Sequence, residues 1–236
     1  RQDGTIEGAV EWAEAGEDRV LLTWTNKVRK TANRLTRKSR GYDKDIQVGE
    51  TLICTFNNHE QQIMNGETFT VESVETHQEM SDVLGHEVVL VRPVGRRERF
   101  LMVPSTFDAY QPRTSDRRIY TSSFSGLWPK GNAIWELLDE TGLTMADLRR
   151  LRTEYKQYGV QGTWGYCLTV HKSQGSQWGE VGFVSCPGFR DRDGRLNAED
   201  RRRMTYTAVT RAEHGFHAFM LKVMPDYRRS NPYAAN

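Results

Sequence analysis

His171, Lys172, Ser173 and Gln174 follow one another where an alternating β-rich run ("WGYCLTV", 164–170) stops, and Gly175 then turns the chain. Ser173 with His171 as base would make a nucleophilic pair. No acidic residue stands in the immediate run, however, and no G-x-S-x-G elbow surrounds the serine. Polyanion binding uses the same residues differently. His, Lys and Ser donate hydrogen bonds to phosphate, and a glycine lets the ligand approach the backbone closely. A polar turn without a ligand is the third reading, and the run alone leaves it open.

A second group lies in "MTYTAVTRAEHG" (204–215), where Thr207, Ala208 and Arg211 sit at i, i+1 and i+4 of a helix. An arginine at a helix edge beside small residues can reach a phosphate. It can equally pair with Glu213 on a solvated surface, and the segment alone does not choose.

Several elements must position these groups. Ile6, Ala9, Val10 and Ala13 have the i, i+3, i+4, i+7 spacing of a helix that stops at Gly16. "RVLLTW" (19–24) reads as a strand running into a basic helix. Val28, Ala32 and Leu35 form its apolar stripe, Arg29, Lys30, Arg34, Arg37 and Lys38 its other faces, and Gly41 its end. Such a charge run is read as a solvated face or as an anion-binding one. From Ile46, "GETLICTF", "GETFTVESVE", "HEVVLVRPV" and "RERFLMVP" are short alternating strands between turn residues, the pattern of a small barrel. Residues 105–130 have no clear period. A helical stretch follows (Trp135, Leu138, Leu143, Leu148, Leu151, Tyr155), broken at Gly142. Then come the strand 164–170, a second β run "EVGFVSC", a helix of about 198–213 with Asn197 as N-cap, and a last strand, "FHAFMLKV". The outer segments alternate strands and helices, so they predict one α/β layer structure with the barrel and its arm inserted.

Composition narrows the classes. The chain has 236 residues, 37% hydrophobic and 27% charged, with a formal charge of +2, so any basic surface must be local. No apolar run reaches membrane-spanning length. The three cysteines, Cys54, Cys167 and Cys186, have neither zinc-ligand nor disulfide-framework spacing; they read as buried reduced thiols and predict a cytoplasmic protein without a metal site of its own. The chain opens on Arg1 rather than Met and is expected to come from a longer protein.

"GYCLTVHKSQGSQWGEV", followed some thirty residues later by "TYTAVTRAEHGFHAF", resembles motifs V and VI of superfamily 1 DNA helicases, and more narrowly the RecD/Dda-like (1B) branch. "VLLTWTNKVRKTANRLTR" resembles that family's Thr-Asn segment ahead of a helix. "VGETLICTFNN" with "IMNGETFTVESV" resembles the start of its inserted SH3-like barrel, and "RQDGTIEGAVEWA" its motif IV region.

The resemblance implies an α/β RecA-like second lobe (2A, residues 1–45 and 160–236), an inserted SH3-like β-barrel (2B, 46–104) and a small helical arm (105–159). It further implies the C-terminal motor lobe of an ATP-dependent 5′-to-3′ DNA helicase or translocase. Arg211 would be the arginine finger, Gln174 the residue coupling nucleotide state to the DNA groove, and Arg1, Gly175 and Gln177 nucleotide contacts. Gln177 departs from the Glu that many relatives carry at the ribose position, although an amide also hydrogen-bonds a hydroxyl. Thr25, Asn26, Thr169, His171, Lys172 and Ser173 would contact single-stranded DNA without sequence preference. The implied partners are that DNA, the N-terminal RecA-like lobe of the parent, and a protein met through the barrel. ATP and Mg2+ would be the parent's cofactors.

The sequence contains no G-x-x-x-x-G-K-[ST] loop and no strand ending in Asp-Glu. By itself, this chain is therefore expected neither to hydrolyse ATP nor to unwind DNA. The alternative from the residues is a non-enzymatic nucleic-acid-binding or partner-docking module built on a helicase-like lobe.

Overall fold

The computed structural model describes residues 3–42, 45–104, 107, 128–186 and 198–222. They fall into two compact units, one made of the segments 1–43 and 165–236, the other of 44–164. The expected motif IV residue Arg1, the expected N-cap Asn197 and most of the expected loop at 105–130 lie outside the described residues.

The first unit is built on a five-stranded sheet ordered β1-β10-β9-β2-β8, with every pairing parallel. Its strands are β1 (Asp3–Gly4), β2 (Arg19–Thr23), β8 (Cys167–Thr169), β9 (Trp178–Ser185) and β10 (Ala212–Leu221). A parallel sheet is covered on its faces, and the run Val20, Leu21, Leu22, Thr23 is buried throughout rather than alternately. Helix α1 (Ile6–Glu14) starts at Thr5, whose hydroxyl oxygen accepts the Gly8 N–H at 3.0 Å. Its Ile6, Ala9 and Val10 join Leu21, Cys167, Val184, Phe219 and, from α2 (Asn26–Ser39), Val28 and Ala32 in one core. Gly182 on β9 lets this layer close: a Cβ there would sit 2.5 Å from the Trp12 ring. Helix α6 (Ala198–Val209) precedes β10.

Helix α2 departs from the sequence expectation. Its basic residues do not form a solvated face, because Arg29, Lys30 and Arg37 are all buried. Burial runs without a break from Val28 to Asn33, and at 100° per residue six consecutive positions encircle a helix. Lys38 is exposed and Arg34 half-buried.

The second unit carries an antiparallel sheet ordered β6-β5-β4-β3-β7. The strands are β3 (Thr51–Cys54), β4 (Thr68–Thr76), β5 (Val89–Pro93), β6 (Phe100–Met102) and β7 (Gly162–Trp164). The expected closed SH3-like barrel is not shown among the described residues: β6 and β7 stand at opposite edges of the sheet, and an isolated bridge joins Leu101 of β6 to Gly159, ahead of β7. Helices supply the cover that closure would otherwise provide. Met80, Val83 and Leu84 of α3 (Gln78–Leu84) and Leu148, Leu151 and Tyr155 of α5 (Met145–Tyr158) share a core with Leu101 and Val103. Partly buried Ile134, Leu137 and Leu138 of α4 (Ala133–Thr141) pack against it.

The strand expected at 164–170 is in fact two. Gly162–Trp164 pairs with β3 in the second unit, whereas Cys167–Thr169 pairs with β2 in the first. Gly165 and Tyr166 bend the chain between them.

Candidate functional site

All strands of the first unit point the same way, so their carboxyl ends share one edge, the usual location of ligands in such sheets. Thr23, Thr169 and Val184 stand level there, and the Thr23 hydroxyl donates to the Val184 carbonyl at 3.0 Å. Thr25 follows as the N-cap of α2, its Oγ1 accepting the Val28 N–H at 3.2 Å. Its side chain also hydrogen-bonds the Cys186 thiol, whose pKa burial pushes up against the pull of Thr25 and Arg201. Asn26 is exposed at the start of α2. The buried Arg29 donates from Nε to Asn26 Oδ1 at 3.2 Å, which fixes the amide oxygen of Asn26 as an acceptor.

Past Thr169 the chain makes a 3-10 turn, Val170–Ser173. His171 is exposed and Lys172 half-buried. Burial first, and repulsion from Arg29 second, hold the Lys172 ammonium below the usual lysine range, so two cations converge here. Ser173, expected to face nucleic acid, is instead wholly buried: its hydroxyl donates to the Val170 carbonyl at 2.8 Å and tightens the turn that presents His171 and Lys172.

A second group assembles at the opposite edge, where β9 and β10 begin. Trp178 donates its N–H to the Arg211 carbonyl at 3.0 Å, and Ala212 pairs with Trp178. Arg211 Nη1 donates to the Ser176 carbonyl at 3.3 Å and Nη2 to Thr210 Oγ1 at 3.3 Å, while Nε is buried with no hydrogen-bond partner among the described residues. Gly175 has φ +92, a conformation that side chains rarely adopt, although open space surrounds its missing Cβ. Gln174, Gly175 and Gln177 are exposed. The turn 174–177 and Arg211 therefore form one polar site, with an orphaned guanidinium nitrogen in it.

The structure thus separates the expected residues. Thr25, Asn26 and Thr169 lie at one edge of the sheet, and Arg211, with Gln177 just ahead of β9, at the other; His171, Lys172, Gln174 and Gly175 belong to the segment that runs between the two edges. Val184 stands six positions beyond Trp178 on β9, which at about 3.3 Å per residue places the two edges of the sheet roughly 20 Å apart along the strands. Segment 170–177 joins them. Among the described residues no cluster of His, Cys, Asp or Glu could hold a metal ion, and no helix is long and apolar enough to cross a membrane.

One residue of this architecture was not singled out from the sequence. Buried Asn33 donates from Nδ2 to the Cys167 carbonyl at 3.1 Å and accepts the Cys167 N–H on Oδ1 at 2.8 Å. β8 is an edge strand, and this amide supplies both hydrogen bonds that a further strand would have made. It ties α2, which carries Asn26, to β8, which carries Thr169. The legible signal was spacing: Asn33 lies seven residues after Asn26, on the same helical face.

Both groups lie in or beside the segment that matches a known family. Residues 165–217 match the model of the UvrD-like helicase C-terminal domain, beginning where the first unit resumes. The C-terminal region is similar to that of superfamily 1 helicases. This helicase-like segment contains every expected site residue from Thr169 to Arg211, whereas Thr25 and Asn26 precede it. Among solved structures, the chain is similar to one of two coordinating Pif1 helicases at forked dsDNA, at 13% identity and TM-score 0.42, over 95% of this chain and 46% of that one. It is also similar to a Pif1 helicase from Candida albicans, at 14% identity and TM-score 0.36, over 95% of this chain and 51% of that one. The chain spans about half the length of those two proteins. No curated protein matches the sequence.

Proposed function

We propose that this chain is the C-terminal motor lobe of an ATP-dependent DNA helicase or translocase of the superfamily 1B type, moving 5′ to 3′. The observation that carries the proposal is Arg211. Its guanidinium is oriented by Ser176 and Thr210, beside a glycine turn, with one buried nitrogen that has no partner among the described residues. An orphaned buried donor of a permanently charged group fits an anionic ligand such as a nucleotide phosphate.

In this reading Arg211 engages phosphate oxygens from across a cleft shared with an N-terminal lobe, as an arginine finger. Gly175 admits close approach, Gln177 and Arg1 contact the nucleotide, and Gln174 couples that site to the nucleic acid. ATP, when bound with Mg2+ by the other lobe, supplies the phosphoanhydride whose hydrolysis drives movement. This chain's residues bind, orient and neutralise charge; they abstract no proton. Asn26, Thr169, His171 and Lys172, with Thr25, hold the phosphate backbone of single-stranded DNA through sequence-independent contacts that can be remade at each step. The buried Ser173 shapes the turn rather than touching the strand. The second unit guides nucleic acid or meets a protein partner.

The test is steady-state ATPase of the full-length parent, with and without oligo-dT, as wild type and Arg211→Ala. The expected result is loss of DNA-stimulated turnover by about three orders of magnitude with DNA binding kept. Unchanged turnover would remove the finger role and favour the non-enzymatic binding module. The 236-residue chain alone is expected to show no ATP turnover.

A further inference from the structure

Helix α5 of the second unit carries charge that its fold does not use. Arg149, Arg152 and Lys156 are exposed at i, i+3 and i+7, so they line one stripe of the helix, with exposed Gln157 beside them. Among the described residues none of the three pairs with an acid. The acids of α5 are engaged elsewhere. Asp147 closes the capping box with Thr144, accepting its N–H at 2.9 Å and its hydroxyl at 2.6 Å. Glu154 meets His77 at 3.1 Å. Arg150, one residue away on a different face, takes Glu79 at 2.8 Å and anchors α5 to α3. The helix therefore separates a neutralised, structural arginine from an uncompensated row of three cations.

We propose that this row is a binding surface for the phosphate backbone of duplex nucleic acid, distinct from the single-strand site of the first unit. Arg149 to Lys156 covers about 10 Å at 1.5 Å per residue, and duplex phosphates advance about 3.4 Å per strand, so the row matches roughly three phosphates. The face has no exposed aromatic: Tyr155 is buried in the core and Tyr158 is half-buried. A surface that grips charge but offers no ring for bases to stack on suits a duplex, whose bases are enclosed, better than a single strand. The inference rests on the charge row and not on the motor-lobe reading.

The test is fluorescence anisotropy of the chain with a 20-base-pair duplex, oligo-dT and poly-glutamate, from 50 to 200 mM salt. Wild type is compared with the triple variant Arg149→Gln, Arg152→Gln, Lys156→Gln, and with Asn26→Ala. All three cations are exposed, so the triple variant is expected to fold, and circular dichroism checks that it does. The triple variant is expected to lose duplex affinity at least tenfold, and its slope of log K against log salt to shrink by about 2 to 3, near 0.9 per phosphate contact. Its oligo-dT affinity is expected to change less than twofold. Asn26→Ala should show the reverse pattern. Failure of Asn26→Ala to affect oligo-dT would count against the first-unit site while leaving this proposal standing. An unchanged duplex affinity and slope in the triple variant would overturn it, as would loss of poly-glutamate binding alone, which would assign the row to an acidic protein.

Discussion

At the scale of single residues, the side chains that define the candidate sites depend on neighbours that fix their direction. Arg29 holds the amide of Asn26, Ser176 and Thr210 hold Arg211, and Asn33 holds β8. Asn33 gives the sharpest test. Asn33→Ala leaves the N–H and C=O of Cys167 buried without partners and is expected to destabilise the first unit by about 2 to 4 kcal/mol in urea unfolding. Asn33→Asp keeps the acceptor for the N–H but sets an oxygen against the Cys167 carbonyl, so it should rescue little. An alanine variant as stable as wild type would show that water replaces both bonds. His171, Gln174 and Arg211 were legible as polar groups beside a glycine or small residues. The burial of Ser173 was not, because a hydroxyl's partner three residues back depends on the turn geometry and not on the residue type.

At the scale of elements, close approach of backbone and ring sets the layer spacing of the first unit. Gly182→Ala places a methyl group 2.5 Å from the Trp12 ring and 2.8 Å from Leu21. The ring is held by Phe219 at 5.7 Å between centroids and by the Arg19 guanidinium at 4.8 Å, so it has little room to retreat. The expected destabilisation is about 1 to 3 kcal/mol, read from the denaturant midpoint. A neutral result would mean that α1 shifts freely on the sheet. Periodicity did reveal α1 and α5, whose apolar residues follow helical spacing. It found α2 by its stripe of Val28, Ala32 and Leu35 but left its basic residues open between a solvated and an anion-binding face, because the burial of Arg29, Lys30 and Arg37 depends on what packs around the helix. It also merged β7 with β8: both segments are β-rich, and only their pairing partners separate them.

At the scale of the whole molecule, each unit buries a thiol that reports on its integrity, Cys54 in the second and Cys167, beside the also buried Cys186, in the first. Burial pushes Cys54 in the second unit up to about 12, reinforced by Glu67, and Cys167 in the first up to about 12, against the pull of Arg29. The folded chain thus retains protons that an unfolded thiol releases near pH 8.5, so this contribution is complete below that value and declines as pH rises toward 12. Urea midpoints are expected to fall between pH 8 and pH 10.5, and less steeply in Cys54→Ala and Cys167→Ala, each for its own unit. Under native conditions at pH 8, iodoacetamide should label neither residue; labelling at the rate of a free thiol would contradict their burial.

The sequence alone determined the α/β character of the outer segments, the likeness of 165–217 to a helicase C-terminal domain, and the pairing of a His-Lys-Ser-Gln-Gly turn with a later arginine. These follow from local periodicity and from residue types at fixed spacing, which survive without knowledge of packing. Only the tertiary structure decided that the expected contacts divide between opposite edges of one parallel sheet, that the second sheet stays open beneath helices, and that Arg150 is neutralised while its neighbours are not. Each of those depends on which segment lies beside which, and that is fixed by pairing and burial across long separations in the chain.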